Sequence, residues 1–133
     1  MNPALVTSLW ITLGSAVGGL ARYWVSILFT TLLGPGFPWG TLVVNVTGSF
    51  VIGLFAALTG PDGRMITTPD ARQFVMVGLC GGYTTFSSFS LQTLTLMQAG
   101  DSGRAALNVA GSLVLCLAAA WLGYVAAHAL GGS

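Results

Sequence analysis

The stretch "VGLCGGYTTFSSFSLQTLTLM", residues 77–97, lies in the third apolar segment of the chain, yet it does not read as an ordinary membrane helix. The paired glycines Gly81-Gly82 are followed at once by Thr84 and Thr85, then by Phe86 and Phe89 among serines. Each glycine weakens a helix by about 1 kcal/mol, and β-branched threonines lower helix propensity further. At membrane depth, non-helical backbone is tolerated only where protein buries it or where it lines a cavity. The stretch predicts a span broken near Gly81–Thr84 and built around something polar.

The membrane setting follows from composition. Of 133 residues, 54% are hydrophobic and 5% charged, with a mean hydropathy of +0.85, whereas soluble domains carry about 25% charged residues. Segments of about 20 apolar residues cross a bilayer, and such segments run from about 4–33, 40–59, 71–97 and 104–130. The connections "GPGFPW", "GPDGRMITTPD" and "AGDSG" are short. Residues 1–133 therefore read as one all-α transmembrane domain of four helices, the third interrupted. The opening "MNPALVTSLW" lacks the basic region of a secretory signal, so none is expected. A net charge of +1 argues against a nucleic-acid footprint, which needs a clustered basic face.

Cys80 and Cys116 sit in apolar segments and read as packing thiols. The single histidine, His128, near the end of the last segment, reads as interfacial. With no acid, thiol and base grouping, no enzyme is expected. The second connection with its flanks carries Arg64 and Arg72, and the opposite side carries Arg104, a bias of two against one. By the positive-inside rule this leaves either orientation open, including antiparallel pairing of identical chains. Four helices enclose little space, so a transporter of this size calls for a homo-oligomer. Gly14 and Gly18 form a GxxxG pair of the kind that brings helices together, within one chain or between two.

Polar side chains in lipid are costly unless they face protein or a cavity. Thr41, Asn45 and Ser49 recur every fourth residue on the second helix, as do Asn108, Ser112 and Cys116 on the fourth. On the third, Thr85, Ser88 and Gln92 form one stripe and Phe86, Phe89 and Thr93 its neighbour. Taken singly, a Ser or Thr commonly bonds its own i−4 carbonyl, an Asn clasps a neighbouring helix, and a Phe packs. Three stripes together are better explained by a shared pathway. A broken helix offers free carbonyls to a cation and free N–H groups to an anion. Every aspartate falls in a predicted connection, no glutamate occurs, and Arg22 is the only charge away from the end of a span. That balance favours passive passage of an anion, whose small desolvated form would meet the positive edges of aromatic rings.

The motifs "GGLARYW" (18–24), "GTLVVNVTGSFVIG" (40–53) and "GLCGGYTTFSSFS" (78–90) resemble those of the CrcB/Fluc fluoride channels. The resemblance covers three of the four helices in order. It implies an antiparallel, dual-topology homodimer in the cell's inner (plasma) membrane, with two fluoride pathways and a central structural Na+. It implies that Asn45, Phe86, Phe89, Thr85 and Ser88 line the fluoride pore; the fourth helix matches mainly in character, so Ser112 is added to the pore from its polar stripe, and Asn108 is left open. Arg22 would sit at the vestibule, and the Gly81 and Thr84 carbonyls would hold the Na+. Gln92 stands where many members carry glutamate. Two other readings compete. A small proton-coupled multidrug exporter would need a membrane glutamate, which this chain lacks. A non-transporting accessory subunit would leave the stripes unexplained.

Overall fold

In a computed structural model, which describes residues 1–131, the chain crosses back and forth four times: α1 (Pro3–Leu33), α2 (Trp39–Leu58), an interrupted third span (Pro69–Gln98) and α6 (Ser102–Gly131). The third span comprises α3 (Pro69–Gln73), a π-helical segment (Phe74–Cys80), α4 (Gly81–Tyr83) and α5 (Phe86–Gln98). Residues 132 and 133, the end of the expected domain, lie outside the described residues. Among the described residues there is no strand.

Local chemistry sets the ends. Asn2 accepts from the Ala4 N–H at 2.8 Å with Pro3 behind it, and Thr68 caps Ala71 at 3.1 Å with Pro69 behind it. Both arrangements satisfy free N–H groups of a first turn. Gly34 and Gly100 close α1 and α5 with φ of 86° and 80°, where a side chain would be strained. Asp70, which the sequence placed in a connection, belongs to the first turn of α3, where Thr7 Oγ1 donates to its Oδ1 at 2.6 Å.

The interior is built from small side chains. Val44 and Asn108 are the largest that are fully buried, while leucines and tryptophans along α1 and α6 face outward, as a lipid solvent allows. Helices without a hydrophobic force between them associate by close backbone approach. α2 packs most extensively on α6, and α1 on the π-helical segment. Gly14 and Gly18 are used here: a Cβ on Gly14 would meet the Gly78 Cα at 2.9 Å, and Gly18 rests on Leu79. The GxxxG pair therefore packs inside one chain.

The break lies just after the glycine pair. Gly81 is helical (φ −64°, ψ −38°), whereas Thr84 (ψ 158°) and Thr85 (φ −152°, ψ 112°) are extended. Gly82 is small because α1 is close: a Cβ there would meet Ser15 O at 2.8 Å. Gly78→Val should cost about 1–3 kcal/mol by overpacking, since its Cβ would press on the Gly14 Cα and on Ile11 O at 3.0 Å, both backbone. Gly103→Ala, with nothing within 4 Å, should leave thermal unfolding in detergent unchanged.

Candidate ion pathway at the interrupted third span

At the break, the side chain of Asn45 on α2 takes over the backbone of Thr85. Thr85 N–H donates to Asn45 Oδ1 at 2.8 Å, and Asn45 Nδ2 donates to Thr85 O at 3.0 Å. One amide thereby satisfies both peptide groups that leave the helix. Thr84 turns back, its N–H and Oγ1 both donating to Cys80 O at 3.0 and 2.9 Å. Thr85 Oγ1 caps α5 by accepting from Ser88 N–H at 3.1 Å. The N–H groups of Phe86 and Ser87 then form an uncapped helix start carrying partial positive charge.

Two cavities meet at Thr85. The larger, about 500 Å³, is bordered by Asn45, Ser49, Thr85, Phe86, Phe89 and Ser112, and by Cys116 and the break residues Gly81 and Thr84. Apolar side chains such as Ile52, Met76 and Leu113 complete it, so it is less polar than the stripes predicted. The smaller, about 240 Å³, holds Arg22, Thr41, Ser88 and Gln92, with Thr85 as the shared wall. Thr41 thus parts from Asn45 and Ser49, which border the larger cavity. Phe86 and Phe89 lie side by side, centroids 5.3 Å apart and planes tilted by 54°.

Asn108 does not border either cavity. It is 2% exposed and donates to Thr93 Oγ1 at 2.9 Å, while Thr93 donates to Phe89 O at 2.8 Å. This clasp ties α6 to α5 directly behind Phe89, and Ser112 Oγ approaches Asn108 Oδ1 at 3.4 Å. Thr93 accordingly leaves the phenylalanine stripe. Arg22 reaches the break itself, donating from Nε to Gly82 O at 3.2 Å. Gln92 Oε1 is buried with no partner among the described residues.

The family profile described as "CrcB-like protein, Camphor Resistance (CrcB)" matches residues 9–124. The chain belongs to the CrcB family. Proteins named "Fluoride-specific ion channel FluC" are similar to this CrcB chain along nearly its whole length. That of Rhodospirillum rubrum is 59% identical over 122 residues, covering 92% of this chain and 95% of that protein. That of Opitutus terrae is 60% identical over 122 residues, covering 92% of each. That of Methylobacterium radiotolerans is 53% identical over 131 residues, covering 98% of this chain and 91% of that protein.

Three features of this CrcB protein were not read from its sequence. The clamp of Asn45 on Thr85 pairs residues 40 positions apart, and only the Asn opposite a β-branched pair hinted at it. The bond from Arg22 to Gly82 O and the hydroxyl contact of Thr47 with Tyr83, at 2.9 Å, likewise depend on packing.

Proposed function

We propose that this multi-pass membrane protein is a passive, fluoride-selective channel that lets cytoplasmic fluoride leave down its electrochemical gradient. The observation that carries this reading is the break held open by Asn45 between two cavities lined by hydroxyls, an arginine and two phenylalanines. Fluoride holds its water tightly, so a path must replace that shell with donors and ring edges while binding weakly enough for release. The bare N–H groups at the start of α5, the remaining Nδ2–H of Asn45 and the edges of Phe86 and Phe89 are such groups. Thr85 and Ser88 extend the donors toward the smaller cavity, Ser112, whose hydroxyl points to Asn108 Oδ1, borders the larger one, and Arg22 would draw anions into the smaller cavity. Hydrogen fluoride enters cells uncharged and dissociates at cytoplasmic pH, and a negative-inside voltage drives the trapped anion out. No fuel is required.

The working unit in this reading is an antiparallel, dual-topology homodimer in the inner membrane, each chain contributing one four-helix transmembrane domain. Gly81, Phe86 and Ser87 are exposed in one chain although they lie deep within a span. Bare backbone facing lipid costs several kcal/mol, and a second copy would cover it. The arginines are nearly even-handed: Arg64 and Arg72 lie on one side and Arg104, bonded to Gly36 O at 3.2 Å, on the other, while Arg22 stays inside the first span. Two against one gives the positive-inside rule little to act on.

A structural Na+ fits the break. Gly81 O and Thr84 O accept no bond among the described residues, and both residues border the larger cavity. Such carbonyls would hold a hard cation, which would supply positive charge beside these free oxygens. Among the described residues no three His, Cys, Asp or Glu side chains gather as an alternative donor set.

Purified protein in liposomes loaded with potassium fluoride should release fluoride, read by a fluoride electrode, once valinomycin balances charge, with no ATP and no pH gradient. Chloride-loaded vesicles should release almost nothing. Equal chloride release would remove the selectivity, and no release of either ion would favour a non-transporting role.

A further inference from the structure

In an unbroken helix, Gly81 O would accept from the N–H of Thr85, four residues on. Here that N–H is turned to Asn45 Oδ1 at 2.8 Å, so Gly81 O loses its donor. The same bond aims a second carbonyl. The Thr84–Thr85 peptide is planar and trans, so its C=O points opposite to its N–H. With the N–H directed at α2, Thr84 O points away from α2.

A second anchor lies one residue before the extended pair. Tyr83 Oη is 2.9 Å from Thr47 Oγ1. Thr47 already donates its hydroxyl proton to Val43 O at 2.7 Å, which leaves it the acceptor and Tyr83 the donor. Gly48 provides the floor: a Cβ there would meet Tyr83 Cδ2 at 3.2 Å and crowd the Thr84 methyl. The turn Asn45–Gly48 therefore grips Tyr83 and Thr85 from both sides of Thr84.

We propose that Asn45 and the Thr47–Tyr83 hydroxyl pair are positioning residues for a small hard cation bound by the Gly81 and Thr84 carbonyls. This rests on the cation reading of the break given above and assigns its cause to α2. Asn45 makes the site by exchanging one hydrogen bond, and the hydroxyl pair keeps the free carbonyls from turning back into the helix. Neither side chain need touch the cation.

The test is thermal unfolding of the full-length purified protein, titrated with NaCl against choline chloride at constant ionic strength. Wild type should gain a Na+-dependent rise in Tm. In Tyr83→Phe and Thr47→Val the Na+ concentration giving half that rise should increase about fivefold, the worth of one hydrogen bond. Thr47→Ser, which keeps the hydroxyl, should restore the wild-type midpoint, and Asn45→Ala should lose the rise altogether. Fluoride efflux by Tyr83→Phe should be depressed at low Na+ and recover at high Na+. Should the variants lower Tm equally in both salts with an unchanged midpoint, the anchors are merely structural and the proposal is overturned. If wild type shows no Na+ increment, the cation reading and this proposal both fall, while fluoride efflux is judged separately. If Asn45→Ala does not fold, the Tyr83 and Thr47 series decides.

Discussion

Asn45→Asp should lower fluoride passage about a thousandfold. The carboxylate would keep one role of the amide, accepting from Thr85 N–H, and reverse the other, because an oxygen would replace the Nδ2 that donates to Thr85 O at 3.0 Å. It would also add a fixed negative charge to the wall of the larger cavity. Two like charges about 4 Å apart repel by about 4 kcal/mol at the effective dielectric of a protein boundary. At about 1.4 kcal/mol per factor of ten, that gives the loss stated. The measurement is initial fluoride efflux from liposomes holding equal amounts of each protein. Undiminished efflux would mean that the ion does not pass Asn45.

Phe86→Ile and Phe89→Ile form the second large effect. Phe86 is 79% exposed in its own chain, so its removal costs little internal packing. Phe89 stands in front of the Thr93–Asn108 clasp, which bonds its carbonyl and leaves its ring free to border the cavity. Isoleucine is of comparable bulk but has no positive ring edge. Each change should slow fluoride efflux about tenfold or more, corresponding to ~1.4 kcal/mol of lost stabilisation along the path. The elution position on size exclusion and the Tm should stay near wild type. Full efflux from both variants would remove the rings from the mechanism.

The broad architecture was legible because it depends on local pattern. Each observed span begins and ends within two residues of its expected bounds: Pro3–Leu33, Trp39–Leu58, Pro69–Gln98 and Ser102–Gly131 against about 4–33, 40–59, 71–97 and 104–130. The break was also legible in kind, since Gly-Gly before Thr-Thr weakens a helix. Its position near Gly81–Thr84 was legible too, but its cause was less so. Gly82 proved to be a contact with Ser15, and the extended residues are Thr84 and its neighbour Thr85, whose peptide groups found partners elsewhere.

The polar stripes were a partial guide. Periodicity identified the helix face on which each residue lies, and Ser49, Ser112 and Cys116 do share one cavity. Periodicity carries no information on depth, so Thr41 fell to the second cavity and Asn108 to a buried clasp. Several hydroxyls also follow the ordinary habit of membrane helices. Thr84 and Thr93 donate to carbonyls four residues earlier, which occupies their protons with the backbone. The grip of α2 on the break was hidden because it joins residues far apart in the chain.

Passive passage of fluoride alone is tested most directly by the reversal voltage of a purified-protein bilayer separating unequal fluoride solutions. A tenfold fluoride gradient should set that voltage at about 59 mV, the electrical equivalent of a tenfold ratio for one charge. Neither an imposed pH difference nor excess chloride on one side should move it. A reversal voltage that tracks the pH difference would reveal proton coupling, one that tracks chloride would reveal an unselective pore, and either would contradict a fluoride path through the interrupted span.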